Sequence, residues 1–222
     1  TQLVESFPNL RLVHKTLGEF LHQEGQYERA VLSYDIAINM IDQSISKHWY
    51  IYYARGTAYD SLGNWELGLR DFDRALALSP NQFQVLNYVG YSLVERGERL
   101  EEALSMIERA VAAQPKAGYI IDSLGWAQFR LGYYNDAVVH MERAVELMAT
   151  DPVVNNHLGD VYWAVGRKTE ARFQWRRALS FVTDATGAEA IDLMRMQRKL
   201  KIGLDAVLAE EGAPPLKVAN GD

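Results

Sequence analysis

The sequence predicts an all-α fold, a right-handed α-solenoid of five helix hairpins followed by a C-terminal capping helix. Three observations predict it: a motif that recurs five times, apolar residues spaced three and four apart, and glycines where one helix should turn into the next. The motif begins at five glycines whose separations are 38, 34, 35 and 34 residues. They are Gly18, Gly56, Gly90, Gly125 and Gly159.

Each motif continues with residues that would let two helices pack closely. A small residue lies early in the second helix, a bulky residue follows four positions later, and an alanine comes three positions after that. Because small residues let helices approach, we expect the bulky residue to fill the space beside the first glycine. The small residues are Ala30, Gly68, Ala103, Ala137 and Ala171; the bulky ones are Tyr34, Phe72, Ile107, Met141 and Trp175; the later alanines are Ala37, Ala75, Ala110, Ala144 and Ala178.

The turns within the hairpins are marked by a second glycine, seven residues after the first. This glycine is predicted to end the first helix in a left-handed backbone conformation. Prolines agree with the helix boundaries, since Pro80 and Pro115 follow second helices and Pro152 opens a first helix. The turn glycines are Gly25, Gly63, Gly97, Gly132 and Gly166.

The pattern resembles the tetratricopeptide repeat (TPR), a helix hairpin with a period of 34 residues. The clearest copy is Y-Y-A-R-G-T-A-Y-D-S-L-G-N-W-E-L-G-L-R-D-F-D-R-A-L-A-L-S-P at residues 52–80. The resemblance covers about 175 of the 222 residues. Extra residues around Ser46 and near Leu100 fall in connections, where insertions are tolerated. The implied repeats are residues 11–44, 49–82, 83–117, 118–151 and 152–185.

The two ends of the chain depart from the repeat. Pro8 lies three residues before the first repeat, as Pro80 and Pro115 lie before theirs, so residues 1–10 are interpreted as the remnant of an upstream repeat. Residues 212–222 are rich in small and polar residues and are predicted to be a disordered tail.

Residues 186–211 are predicted to form one capping helix that closes the apolar end of the stack. Its apolar face would carry Ile191, Met194, Leu200, Leu204, Val207 and Leu208. The same helix carries a basic patch, which is either a solvated face or a site for an acidic partner. The patch consists of Arg195, Arg198, Lys199 and Lys201.

The composition argues against several classes of function. A net charge of −6 and an isoelectric point near 5.4 disfavour binding to nucleic-acid phosphates. No apolar run approaches the roughly 18 residues that span a bilayer, so no transmembrane segment is predicted in this fragment. The absence of cysteine excludes disulfides, thiolate metal sites and cysteine nucleophiles.

The sequence also lacks motifs for catalysis or for cofactors. It contains no H-E-x-x-H, P-loop, dinucleotide-type glycine fingerprint or G-x-S-x-G elbow. His14 and His22 lie two helical turns apart, but isolated surface histidines are far commoner than metal ligands. We therefore expect no enzyme, no cofactor and no metal, and a protein or peptide as the partner.

The TPR resemblance implies a concave groove lined by the first helix of each hairpin. Asn87, Asp122 and Asn156 are predicted to form a polar ladder that hydrogen-bonds an extended peptide backbone. Aromatic residues are predicted to form apolar pockets, although many such rings instead pack between neighbouring hairpins. The complete candidate set is Tyr50, Tyr53, Asn87, Tyr91, Tyr119, Asp122, Trp126, Phe129, Asn156, Asp160 and Trp163.

Some TPR proteins bind chaperones by gripping a terminal carboxylate with lysine and asparagine. Here Lys15 is followed by Glu19, and Ala54 stands where the asparagine of the next repeat would be. This departure argues against a chaperone co-factor.

A closer resemblance is carried by I-I-D-S-L-G-W-A-Q-F-R-L-G-Y-Y-N-D-A at 120–137 and by H-L-G-D-V-Y-W-A-V-G-R-K-T-E-A-R-F-Q-W-R-R-A-L at 157–179. These runs are similar to the C-terminal part of long proteobacterial envelope TPR proteins. One branch is a lipoprotein adaptor that brings cell-wall hydrolases to a carboxyl-terminal processing protease. The similarity implies a periplasmic or outer-membrane-associated scaffold. Two alternatives remain: a cytoplasmic assembly or regulatory scaffold, and a structural protein that self-associates through its solenoid ends.

Overall fold

The computed structural model describes residues 11–40, 45–182 and 192–216. These residues form twelve α-helices and one short 3₁₀ helix, with no strand among them, which confirms the all-α prediction. The predicted remnant at residues 1–10 lies outside the described residues. Within the described ranges, none of the helices combines the length and the apolar character that a bilayer span requires.

The chain divides into two compact units, residues 1–89 and 90–222, with the boundary inside helix α5. The first unit contains α1 (Arg11–Gln23), α2 (Tyr27–Asn39), the 3₁₀ helix Ser46–His48, α3 (Trp49–Ser61), α4 (Trp65–Leu78) and the start of α5 (Phe83–Arg96). The second unit contains the end of α5, then α6 (Leu100–Ala113), α7 (Gly118–Leu131), α8 (Tyr134–Leu147), α9 (Pro152–Ala164), α10 (Lys168–Phe181), α11 (Leu193–Ile202) and α12 (Leu204–Glu210).

The helices pair as hairpins, and the first glycine of each motif is the point of close approach. A Cβ atom added to Gly159 would lie 2.4 Å from the ring of Trp175, well inside van der Waals contact. A Cβ atom at Gly56 would likewise lie 2.6 Å from the ring of Phe72. Gly18, Gly90 and Gly125 meet Tyr34, Ile107 and Met141 in the same way. The predicted pairing of a glycine with a bulky residue is therefore confirmed in all five motifs.

The turns also follow the prediction from the second glycine. The five turn glycines have φ between +69° and +90°, the left-handed region that side chains with a Cβ rarely adopt. After the turn between α8 and α9, Asp151 caps α9 by accepting hydrogen bonds from the backbone N–H groups of Val153 and Val154, at 2.9 and 3.0 Å. Pro152 occupies the first turn of α9, where its missing N–H has no cost.

The C-terminal segment, residues 192–216, differs from the predicted single helix. It contains two helices, α11 and α12, separated at Gly203, whose φ is +88°. A Cβ at Gly203 would lie 2.4 Å from the Trp163 ring, so glycine lets the backbone pass directly over the indole. On α11 the buried apolar residue is Met196, whereas Met194 is 76% exposed, contrary to the predicted apolar face. Residues 183–191 lie outside the described residues.

Residues 213–216 of the predicted disordered tail are among the described residues. Leu216 is half-buried and packs against the core of the second unit. Residues 217–222 lie outside the described residues. Met196 and Leu204 of the C-terminal segment are 1% exposed and belong to the same core, which also contains Trp175. Burial of each such side chain contributes about 1.5–3 kcal/mol to folding.

Candidate protein-binding surface

Three predicted binding residues lie in the first unit. Tyr50 is half-buried beneath the Lys15 ammonium, which is 5.2 Å from the ring centroid. Tyr53 packs against Phe72 and Tyr88, with ring centroids 6.1 and 5.8 Å away. This aromatic packing agrees with the structural alternative rather than with an open pocket.

Asn87 is 9% exposed, and its Oδ1 is a buried acceptor without a hydrogen-bond donor among the described residues. It is therefore the one proposed ladder residue whose acceptor is not already used by a described group. Its low exposure means that a peptide could reach this atom only after a local rearrangement.

Asp122, the second proposed ladder residue, is used by a neighbouring repeat. His157 Nδ1 lies 3.1 Å from both carboxylate oxygens of Asp122, and both side chains are buried. Burial alone would lower the pKa of His157, but the carboxylates of Asp122, Asp160 and Glu95 raise it above its usual value. A histidine held by a buried carboxylate of a neighbouring helix is a structural pair rather than a peptide contact.

An aromatic row lies beside this pair. The Trp126 ring stacks on His157 at 4.1 Å between centroids and on Phe129 at 4.9 Å. Phe129 in turn contacts Tyr134 at 5.5 Å. The indole Nε1 of Trp126 donates to Glu95 at 2.5 Å, which fixes the orientation of the ring. Trp126 and Phe129 were predicted as binding residues, and the structure brings them together.

Asn156 and Asp160, two further predicted binding residues, hold the chain's own C-terminal segment. The Lys199 ammonium donates to Asp160 at 2.6 Å and also to Asn156 Oδ1. Trp175 Nε1 donates to the same Asp160 oxygen at 2.8 Å. Lys199 is 1% exposed, and its burial lowers its pKa although Asp160 opposes the shift. These two polar side chains, which were expected to hold a ligand, are thus occupied.

Trp163 is covered by the same segment. It is 6% exposed, and its Nε1 donates to Asp205 at 2.8 Å, while Gly203 lies against its ring. We call the surface formed by Trp126, Asn156, Asp160 and Trp163 the docking face. It binds residues 192–216 through the buried Lys199–Asp160 ion pair, a hydrogen bond from Lys199 to Asn156, the indole hydrogen bond to Asp205 and apolar contacts.

The interpretation of the basic patch as a solvated face or a site for an acidic partner is wrong for Lys199, whereas the side chains of Arg195 and Arg198 remain 29% and 40% exposed and Lys201 is exposed. Lys199 is buried as described above. Arg195 binds Glu211 at 3.0 Å, and Arg198 binds Glu210 at 2.5 Å, so both are paired inside the C-terminal segment. Sequence reasoning missed these roles, although the three-residue spacing between Met196 and Lys199 places them on the same helical face.

Beside the docking face lies an open cleft of about 540 Å³, within the range of about 300–1,000 Å³ typical of ligand pockets. One wall is the aromatic row Trp126, Phe129 and Tyr134, and the other is formed by Leu204, Leu208 and Leu216 of the C-terminal segment. A smaller polar cleft of about 230 Å³ is lined by Tyr91, Asn156, His157 and Lys199, among others.

Two predicted residues remain. Tyr91 is half-buried at the smaller cleft, where burial and the Glu95 carboxylate raise its pKa. Tyr119 is 47% exposed and lines neither cleft. The described part of the chain contains no group of three or more histidine, aspartate or glutamate side chains arranged to hold a metal ion.

Comparison with known proteins agrees with this architecture. Residues 53–118 match the family model of the tetratricopeptide repeat. These residues are therefore similar to TPR hairpins. The TPR repeat-containing protein PA4667 of Pseudomonas aeruginosa is 33% identical over 91 residues, which are 41% of this chain. The chain spans only 15% of the length of that TPR protein.

Solved TPR structures have the same fold. PilF of Pseudomonas aeruginosa aligns with a TM-score of 0.69 at 19% identity, over 91% of this chain and 96% of its own. MamA of Desulfovibrio magneticus aligns with a TM-score of 0.66 at 20% identity, over 77% and 94%. YrrB, described as a TPR protein with an unusual peptide-binding site, aligns with a TM-score of 0.61 at 19% identity, over 86% of this chain and 97% of its own. At these identities the likeness shows the fold, an α-solenoid of TPR hairpins, as predicted.

Proposed function

We propose that the chain is a non-catalytic scaffold that binds another protein through the docking face and the cleft beside it. The observation that carries this proposal is that the docking face already holds a helical segment, residues 192–216, by contacts of the kind that peptide ligands make. A helix lying on an apolar face with one specific polar anchor is a recurrent mode of peptide recognition. Because Asn156, Asp160 and Trp163 are occupied, the open cleft is where a partner gains access.

We place this scaffold in the bacterial cell envelope, in the periplasm or at the outer membrane, as an adaptor for a carboxyl-terminal processing protease or a cell-wall hydrolase. The support is the resemblance carried by residues 120–137 and 157–179, together with the match to a TPR protein of Pseudomonas aeruginosa. The alternative of a cytoplasmic assembly or regulatory scaffold uses the same surface and differs only in the partner.

Self-association is a second candidate because one specific observation favours it. In the first unit, Leu12 is 64% exposed, Phe20 is 55% exposed and Leu32 is 63% exposed. Exposed apolar side chains on one hairpin are typical of a surface that stacks on another repeat. Sedimentation velocity tests this candidate: dimers that a Phe20→Ser/Leu32→Ser variant abolishes would support it, and a monomer at high concentration would refute it.

The scaffold proposal is tested by site-specific photo-crosslinking. A photoreactive amino acid is placed at Leu100, which lines the cleft, or at Val139 of α8, which is 65% exposed and does not line it. After irradiation in separate envelope and cytosol extracts, partners attached from Leu100 but not from Val139 would support binding through the cleft. Equal yields from both positions would refute it. Mass spectrometry then identifies the partner, and a cytosolic protein alone would contradict the envelope assignment.

A further inference from the structure

Within the described part of the chain, the charged residues around the cleft include one cation that forms no salt bridge. The cleft is lined by three carboxylates, each of which already has a hydrogen-bond donor. Asp160 accepts from Lys199, Glu211 accepts from Arg195, and Glu95 accepts from the Trp126 indole. Arg195 is therefore also used.

Arg130 is the remaining charged residue of the cleft. It is half-buried at the end of α7, directly after Phe129. Among the residues that the structure describes, no carboxylate forms a salt bridge with it. Its Nη2 lies 3.3 Å from the position that a Cβ on Gly97 would take, so the glycine turn between α5 and α6 leaves room for the guanidinium at the cleft.

This cation stands beside an apolar surface. Trp126, Phe129 and Tyr134 form one wall, and Leu204 and Leu208 face the same cleft from the C-terminal segment. Such walls accommodate a large apolar side chain, and large apolar side chains are common anchors at interfaces. They also exclude water, which strengthens a hydrogen-bonded pair between a guanidinium and a carboxylate.

We propose that this cleft binds a peptide segment in which a large apolar side chain lies next to a carboxylate. The apolar side chain occupies the space between the aromatic row and the leucines, and the carboxylate accepts hydrogen bonds from Arg130. The inference rests on the proposed scaffold function and specifies its ligand chemistry. The carboxylate belongs to an acidic side chain of the peptide, beside the apolar residue.

The test uses fluorescein-labelled peptides of one length, measured by fluorescence anisotropy with the whole chain at physiological ionic strength. The peptides differ only in two adjacent residues. In the peptide that should bind, these residues are Glu-Leu, and in the three comparison peptides they are Gln-Leu, Lys-Leu and Glu-Ser. Each peptide is made with a free and with an amidated C-terminus. We expect Glu-Leu to bind at least about tenfold more tightly than the other three, since each comparison removes one of the two required contacts.

Arg130→Glu supplies the decisive variant. It should weaken Glu-Leu binding by at least about tenfold and reverse the preference toward Lys-Leu. Arg143→Glu is the matched control. This substitution changes the charge by the same amount, but Arg143 lies on α8 and does not line the cleft. Arg130→Gln gives a second variant that removes the charge without reversing it, in case the glutamate prevents folding. Circular dichroism checks that each variant keeps its helices.

The outcomes separate cleanly. Glu-Leu binding that amidation leaves unchanged, and whose preference Arg130→Glu reverses, supports the proposal. Binding that amidation abolishes would assign the carboxylate to a peptide C-terminus and would overturn the proposed acidic side chain. No binding by the unmodified chain, or an equal loss in Arg143→Glu, would overturn it. If Leu100 crosslinks a partner while the peptide preference is absent, the ligand chemistry is wrong and the scaffold function still stands.

Discussion

The buried ion pair between Lys199 and Asp160 gives the sharpest prediction about how the C-terminal segment is held. Lys199→Met keeps most of the apolar stem and removes the ammonium. Asp160 then keeps only the hydrogen bond from Trp175, and Asn156 Oδ1 loses its donor. Removing one partner of a buried pair costs about 3–5 kcal/mol, because the remaining charge stays buried without compensation.

The second unit should therefore lose about 3 kcal/mol of unfolding free energy in Lys199→Met. The assay is urea denaturation followed by tryptophan fluorescence, which reports on this site because Trp163 and Trp175 lie beside the pair. A loss of this size lowers the midpoint by roughly 1–2 M for a domain whose slope is about 1.5–3 kcal/mol per molar urea.

A double variant identifies the cause. Lys199→Met/Asp160→Asn replaces the charged pair by neutral groups and keeps an oxygen that accepts from Trp175. Since neutral replacement of a buried pair is often close to isoenergetic, the double variant should recover most of the lost stability. A Lys199→Met variant as stable as the unmodified chain, or losses that simply add in the double variant, would refute the reasoning.

Three further predictions concern other parts of the chain. Because the pKa of His157 is raised in the folded protein, His157 contributes stability that is fully present below its unfolded-state pKa of 6.5 and is lost as pH rises through its folded-state pKa. His157→Gln should therefore flatten the pH dependence of the free energy of urea unfolding above pH 6.5. Gly159→Ala forces a Cβ to within 2.4 Å of the Trp175 ring and should cost about 1–3 kcal/mol, visible as a lower melting temperature; an unchanged melting temperature would contradict the packing described. Arg55→Met removes two hydrogen bonds, 2.6 and 2.7 Å long, to the buried carboxylate of Asp71 and should destabilise the first unit by about 2–3 kcal/mol in thermal unfolding, whereas no loss would show that the pair is neutral.

The hairpins could be predicted because their determinants are local and recur. Gly159 and Trp175 are 16 residues apart, and the same spacing separates the glycine and the bulky residue in three other motifs. In the remaining motif, Gly90 and Ile107 are 17 residues apart because of the extra residue near Leu100. The turn glycines are equally local, since a positive φ is a property of one residue and its neighbours. Each copy of the motif is independent support for the same geometry.

The docking face could be predicted only in part, because its occupants come from outside the repeat. Lys199 reaches Asp160 across 39 residues, and nothing in the 34-residue period relates the two positions. A charged residue in a basic helix is also expected to be solvated, and tertiary burial overrides that expectation here. The proximity of Asp122 and His157 is easier to predict from the sequence. They are 35 residues apart, which is close to one repeat and places them in neighbouring hairpins.

The contacts already made by the predicted polar ladder restrict how its residues could bind a peptide. Asp122 and Asn156 are engaged by His157 and Lys199, so a peptide backbone could use them only by displacing buried charged groups. Displacement would leave Lys199 or Asp160 without its counter-charge unless the incoming ligand supplied an equivalent, which makes a generic extended peptide a poor competitor. The cleft beside Trp126 requires no such exchange. Its apolar walls are already open, and so is the Arg130 guanidinium, which forms no salt bridge with any residue that the structure describes. Ligand recognition is therefore expected where the repeat surface and the C-terminal segment meet, and the specificity of the scaffold depends on residues that lie outside the repeats as well as within them.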